Sequence, residues 1–158
     1  FIARVFAYRR LKDFFTGAWT MRDLVTVHSR EKYMLLAHSP KAYTALGQLV
    51  AGGLKHTTRT ALAERYQREY MEAVARPATV ARHYNVLLHM AGFLKNQIGA
   101  EQKCELLEVI DDYHEGRVPL IVPVTLMRHY VRLLKIEWLA GQVYLDPHPK
   151  ELALRNHV

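Results

Sequence analysis

The sequence contains a single cysteine, Cys104, in 158 residues. One thiol excludes an intrachain disulfide framework, a four-cysteine zinc site and an iron–sulfur cluster held by this chain alone. It also favours a reducing, cytoplasmic setting. Stretches without a charged residue are far shorter than the roughly 20 apolar residues that cross a bilayer, and the first residues do not resemble a secretory leader. We therefore expect a cytoplasmic protein with no membrane partner.

Familiar catalytic signatures are missing as well. The sequence has no HExxH pair, no glycine-rich phosphate loop and no GxSxG nucleophile turn. Its nine histidines include no pair that combines metal-ligand spacing with an acidic partner, so we predict neither a metal site nor a cofactor in this chain. The glutamates around Cys104 disfavour its thiolate form. These patterns assign no catalytic residue, and whether the chain is an enzyme stays open.

Helical periodicity dominates what is present. Half of the residues are hydrophobic and 23% are charged, which is typical of a globular domain. We predict one domain over residues 1–158, an all-α, compact bundle of about seven helices, with starts at Thr20, Ser39-Pro40 and Thr57 or Thr58. The predicted helices cover about residues 3–15, 21–37, 40–52, 58–75, 79–98, 100–115 and 124–140.

One segment has a different composition, VPLIVP at Val118–Pro123. Two prolines four residues apart make it a poor central strand. We predict an extended, buried crossover near 117–123 that leads into the seventh helix. A short helix from Lys150 is a further expectation at the C-terminal end.

The charge is basic and unevenly distributed. The net charge is +7, and the first hundred residues hold 15 of the 22 lysines and arginines but only 6 of the 15 acidic residues. Most of the remaining acidic residues lie in the predicted sixth helix, 100–115. A basic body attracts polyanions, and arginine, which outnumbers lysine by 14 to 8, suits bidentate phosphate contacts. Tyrosines beside several of these cations add the stacking groups that single-stranded RNA requires, although tyrosines also line bundle cores.

Polar residues on three predicted helices are candidate binding groups. His28 and Lys32 lie within the apolar arc of the second helix. Either they line a ligand pocket, or His28 is an ordinary core histidine and the Lys32 side chain extends to solvent. On the fifth helix a neutral polar line contains Asn85, His89 and Gly92. Either a nucleic-acid base or a neighbouring helix could approach closely along this line. On the seventh helix a cationic ridge of about 10 Å could bind two phosphates or simply face water. The ridge consists of Arg128, Arg132 and Lys135.

Longer motifs carry a family resemblance. They are HSREKYMLLAHSP at His28–Pro40, HYNVLLH at His83–His89 with GFLK at Gly92–Lys95, VPLIVP at Val118–Pro123, and QVYLDPHP at Gln142–Pro149. Together they resemble the YbgA-type domain family, whose members are often fused to a thiouracil-desulfidase-like domain with an iron–sulfur cluster. The resemblance implies an RNA-holding helical module for removal of sulfur from 4-thiouridine in transfer RNA, with the chemistry on another domain. It favours binding roles for the candidates inside these motifs, which are His28, Lys32, His38, His89 and Lys95. It also favours them for Arg128 and Arg132, which lie in and directly after a further matching stretch, RHYV at Arg128–Val131.

The leading hypothesis is therefore an RNA-binding module for transfer RNA. Phosphates would be bound by Lys32, Lys95, Arg128, Arg132 and Lys135. Bases or ribose would be met by His28, His38, Asn85 and His89. Two alternatives remain open: a small-molecule enzyme or sensor with an interhelical pocket around His28, Lys32 and His89, and a protein-interaction domain.

Overall fold

The computed structural model describes residues 2–148, which form nine α-helices and no strand. This confirms the all-α prediction. The helices are α1 (Ile2–Thr16), α2 (Met21–Arg30), α3 (Lys32–His38), α4 (Pro40–Gly52), α5 (Arg59–Ala75), α6 (Val80–Leu94), α7 (Ala100–His114), α8 (Ile121–Leu133) and α9 (Glu137–Ala140). The helix predicted from Lys150 lies outside the described residues.

The helix starts follow from side-chain caps, as predicted. The Thr20 hydroxyl accepts the backbone N–H of Asp23, whose carboxylate accepts the Thr20 N–H in return. Ser39 caps α4, which has proline at its first position, and Thr58 caps α5. Each cap binds a backbone N–H that has no partner inside the helix, which stabilises the start by about 1 kcal/mol.

The predicted continuous helix over 21–37 is wrong, because the chain breaks at Glu31 between α2 and α3. The cause is a segment more than a hundred residues later, 141–147, which we call the return segment. Its Val143 N–H donates to the carbonyl of Arg30 (3.0 Å), and the Gln142 side chain donates to the carbonyl of Ser29 (3.0 Å). Both carbonyls therefore bind donors from a distant segment at the point where the helix is interrupted.

The Pro-rich crossover is also shorter than predicted. Helix α8 already begins at Ile121, so only residues 117–120 are non-helical, and Ile121 and Val122 are exposed rather than buried. Pro123 is tolerated because a residue in the first helical turn has no N–H partner within the helix to lose. The predicted helix 124–140 ends at Leu133 and is followed by the separate α9, and the predicted helix 79–98 ends at Leu94.

Two apolar clusters form the core. The first core cluster joins α1, α2, α4 and α5, and the second joins α6, α7, α8 and α9. The short α3 lies between them, since Met34 and Leu35 pack into the first cluster while Tyr33 and Ala37 pack into the second. The return segment is shared in the same way: Val143 joins the first cluster, and Tyr144 and Leu145 join the second.

Candidate nucleic-acid interface

A row of aromatic rings runs from α3 across α6 to α9. The Lys32 ammonium lies 5.2 Å from the ring centre of Tyr33, and the ring of His89 meets Tyr33 edge-on at 5.7 Å. Phe93 stacks on His89 at 5.6 Å, and Trp138 meets Phe93 edge-on at 4.7 Å. We call Lys32, Tyr33, His89, Phe93 and Trp138 the aromatic strip.

Much of the aromatic strip faces solvent. Trp138 is 50% exposed and Phe93 is 40% exposed, and His89 is exposed too. His89 and Phe93 are four residues apart on α6, so they share one helix face. Because these exposed rings are adjacent rather than scattered, they make this surface a candidate contact site.

Tyr33 anchors this surface from below. It is fully buried, and its hydroxyl has no hydrogen-bond partner among the described residues. Burial, with the nearby Tyr43 as a smaller cause, raises the pKa of Tyr33 to about 12. The phenol therefore stays neutral, and its ring supports both Lys32 and His89.

The neutral polar line on α6 lies on the open side of the helix. Asn85, His89, Gly92 and Asn96 are all exposed. A Cβ atom added to Gly92 would meet nothing within 4 Å, so no described helix packs through this glycine. The line borders the aromatic strip at His89 and leaves space for a ligand next to it.

The cationic ridge of α8 is present but partly neutralised. Arg128 binds the Asp146 carboxylate at 2.8 Å, and Arg132 lies 3.8 Å from the other oxygen of the same carboxylate. The Arg128 side chain is only 18% exposed, whereas that of Arg132 is 57% exposed. Both arginines line a shallow depression of about 560 Å³ together with Thr125 and His129. One carboxylate for two arginines leaves the ridge cationic, with Arg132 as the accessible member.

Lys95 and Lys135 end two helices. Lys95 is the C-terminal cap of α6 and is exposed. Lys135 is also exposed and follows α8 in a left-handed conformation (φ 53°), in which its N–H and that of Ile136 bind the carbonyls of Arg132 and Val131. Neither lysine forms an ion pair with residues 2–148, which leaves both charges available to an anion.

His28 occupies a different environment from His89. Its ring is buried, stacks on Tyr43 (5.2 Å) and binds the Tyr66 hydroxyl through Nδ1 (3.1 Å), and its Nε2 faces the space beside Gly47. Burial lowers the pKa of His28. Within residues 2–148 no hydrogen bond, ion pair or ring contact joins His28 to Lys32 or His89, so these contacts do not assemble the three side chains into one pocket.

His38 connects helix ends. Its Nδ1–H donates to the carbonyl of Arg76 after α5 (2.6 Å), and its own carbonyl accepts from the Arg82 guanidinium on α6 (2.9 Å). One of the two ring nitrogens of His38 is thus already hydrogen-bonded within the protein. A ligand would have to use the other ring nitrogen.

A buried polar network lies in the first core cluster, and sequence reasoning did not find it. Glu31 is 2% exposed, and its carboxylate accepts from Arg10 (3.1 and 3.3 Å) and from the Tyr70 hydroxyl (2.5 Å). Burial, together with the Glu31 charge, raises the pKa values of Tyr66 and Tyr70. The carboxylate is stabilised by three donors, so its burial is compensated.

Comparison with known proteins assigns the chain to a family. Residues 32–149 match a family model described as "Protein of unknown function (DUF1722)". The chain belongs to this family. A protein of Escherichia coli (strain K12) described as "Uncharacterized protein YbgA" is 31% identical over 155 residues, which cover 98% of this chain and 92% of the relative. The predicted YbgA-type resemblance is thereby confirmed, and no solved structure matches the chain significantly.

The match to the DUF1722 family covers the whole aromatic strip and the whole ridge. Three strip residues, Tyr33, Phe93 and Trp138, were not among the predicted site residues. Phe93 lies four residues after His89, and this spacing was a usable signal. Nothing in the sequence pointed to Trp138. In residues 2–148, no helix is long and apolar enough for a bilayer, and no three metal-ligating side chains cluster.

Proposed function

We propose that this chain is an RNA-binding module and that its ligand is transfer RNA. The observation that carries the proposal is the aromatic strip, in which exposed Phe93, His89 and Trp138 adjoin the cation of Lys32 on a chain of net charge +7. Unpaired bases stack on such rings while lysine and arginine bind the phosphates. A cytoplasmic setting is part of the proposal, because transfer RNA is found there.

The proposal gives the two surfaces different roles. Rings of the aromatic strip would stack on splayed bases of a loop or a single-stranded end. Arg132, Lys95 and Lys135 would bind phosphates, and Arg128 would hold Asp146 and orient the ridge. Asn85 lies on the open polar line of α6 and could donate to a base edge.

The chemistry would reside on a partner domain. The lone Cys104 is exposed on α7 and provides one sulfur ligand, too few to hold an iron–sulfur cluster. In this proposal the module holds transfer RNA for a desulfidase-like domain that acts on 4-thiouridine. That part rests on the family resemblance rather than on a contact in the structure.

The test measures binding of unfractionated transfer RNA to the 158-residue chain by fluorescence anisotropy over a series of salt concentrations. The double substitution Phe93→Ala and Trp138→Ala removes two stacking platforms and should weaken binding by about tenfold or more at every salt concentration. Tyr8→Ala is the matched control, since Tyr8 is a 48% exposed aromatic residue on α1. Equal affinities of the aromatic double variant and the control would refute the role of the strip.

The same titration examines the ridge. Arg128→Ala with Arg132→Ala should weaken binding and reduce the salt dependence, because fewer counterions are released when fewer phosphates are bound. The exposed pair Arg65→Ala with Arg68→Ala on α5 removes the same charge elsewhere. If both pairs change the slope equally, the ridge has no special role and only the overall charge attracts RNA.

A further inference from the structure

A cavity of about 350 Å³, lined by none of the strip residues, lies between α1, α2 and the return segment. Its size is that of small-molecule sites in proteins. Apolar and charged side chains line it in equal number. The apolar residues are Leu11, Phe14, Val27 and Val143.

Arg10 enters this cavity in a fixed orientation. Its Nε and one Nη donate to the Glu31 carboxylate, and its other Nη donates to the carbonyl of Pro147 at 3.0 Å. Glu31 is itself held by the Tyr70 hydroxyl. A guanidinium has five N–H donors, so two remain that no described residue accepts. The side chain is 30% exposed, and its free donors form a preorganised anion-binding group.

Two further charges line the opening. Arg30 is exposed, and its Nε donates to the carbonyl of Gly141 at 3.2 Å. Its two terminal nitrogens have no hydrogen-bond partner within residues 2–148, which leaves them for a ligand. Asp13 contributes a carboxylate that is 70% exposed and only loosely paired with Arg9 at 3.8 Å. The opening therefore offers donors for an anion beside an acceptor for hydroxyl groups.

We infer that this cavity binds a ribonucleotide. The base would lie against Phe14 and the other apolar side chains, the phosphate would bind Arg10 and Arg30, and Asp13 would accept hydrogen bonds from the ribose hydroxyls. A ribonucleotide combines these three chemistries, whereas inorganic phosphate uses only the arginines. The ligand is either a free mononucleotide or a nucleotide turned out of an RNA chain, and the inference does not depend on the aromatic strip.

The test is calorimetric titration of the complete chain with the common ribonucleoside 5′-monophosphates, their 2′-deoxy forms, the nucleosides and inorganic phosphate. We expect saturable binding of a ribonucleotide that is tighter than binding of phosphate or nucleoside. Arg30→Ala should weaken it by about tenfold, the loss typical of one charged hydrogen-bond donor. Arg22→Ala, an exposed arginine on the same helix but outside the cavity, should leave it unchanged.

Asp13→Asn provides a second, independent variant in case Arg30→Ala disturbs the fold. It should reduce the preference for ribonucleotides over deoxynucleotides while both variants keep the helical circular dichroism spectrum. Phosphate binding as tightly as any nucleotide, or equal losses in Arg30→Ala and Arg22→Ala, would overturn the inference.

A short single-stranded RNA distinguishes the two sources. If Arg30→Ala loses affinity for this RNA and the natural chain binds no mononucleotide, the pocket holds a nucleotide within an RNA chain. If Arg30→Ala leaves the RNA affinity unchanged and the natural chain binds no mononucleotide, the pocket is rejected as a nucleotide site. Binding of mononucleotides without affinity for transfer RNA would support the pocket and refute the proposed RNA module.

Discussion

The two halves of the molecule are stabilised in different ways. The first core cluster encloses the hydrogen-bonded network of Glu31, Arg10 and Tyr70 and the buried His28–Tyr66 pair. The second is filled by aliphatic side chains such as Leu87 and Ile110. Those of its tyrosine hydroxyls that form side-chain hydrogen bonds form them with residues nearer the surface. The first half therefore depends on specific polar partners, and the second on apolar volume.

The largest expected effect is that of Glu31→Ala. It leaves Arg10 and Tyr70 without their acceptor inside the first cluster, and loss of one partner of a buried ion pair lowers the free energy of unfolding by about 3–5 kcal/mol. Urea denaturation followed by circular dichroism measures it. Glu105→Ala is the counterpart in the second half, where the carboxylate is exposed and, among residues 2–148, accepts a hydrogen bond from Tyr130 alone. Similar losses in both variants would erase the distinction between the halves.

A smaller effect is expected for Tyr70→Phe. This change removes only a hydroxyl, but that hydroxyl donates to a buried carboxylate, so we expect a loss of about 1–3 kcal/mol. Tyr113→Phe in the second cluster removes a hydroxyl that makes no hydrogen bond with residues 2–148 and should change stability by less than about 0.5 kcal/mol. The comparison fails if Tyr113→Phe is as damaging as Tyr70→Phe.

The smallest expected effect is a pH dependence in the second half. Burial, with repulsion from His38 as a lesser cause, lowers the pKa of His83 from 6.5 to about 4. Between these values the unfolded chain is protonated at this residue and the folded chain is not, so stability falls as the pH is lowered from about 6.5 to 4. We expect a loss of about 1 kcal/mol, since the half-buried ring reaches water once charged.

Denaturation at several pH values measures this slope. His83→Phe should flatten it, and substitution of the exposed His129 by phenylalanine should leave it as in the natural sequence. An unchanged slope in His83→Phe would mean that other groups cause the acid sensitivity. Such a result would also weaken the view that the second half contains few stabilising polar contacts.

Local signals made much of the fold predictable. Thr20, Ser39 and Thr58 cap helices through atoms within three residues, so their roles are visible in the sequence. The break at Glu31 was not visible, because its cause is Gln142 and Val143, far along the chain. Chain-local periodicity does not report which carbonyls a distant segment will engage.

The candidate site was predictable only in part. Lys32 and His89 were selected from separate helices, and the structure brings both onto Tyr33. Trp138 was missed because its neighbour Phe93 is provided by another helix. The pairing of Arg128 with Asp146 was likewise missed, since helical spacing reveals a charged ridge but not the counter-ion across a loop.

The return segment has a consequence for how the chain matures on the ribosome. Helices α1 to α5 emerge before the return segment, but Val143 completes their apolar cluster and the Pro147 carbonyl accepts a hydrogen bond from Arg10. The first core cluster therefore stays incomplete until the return segment has been synthesised and has left the exit tunnel. A premature stop before the return segment would leave helices α1 to α5 without these closing interactions.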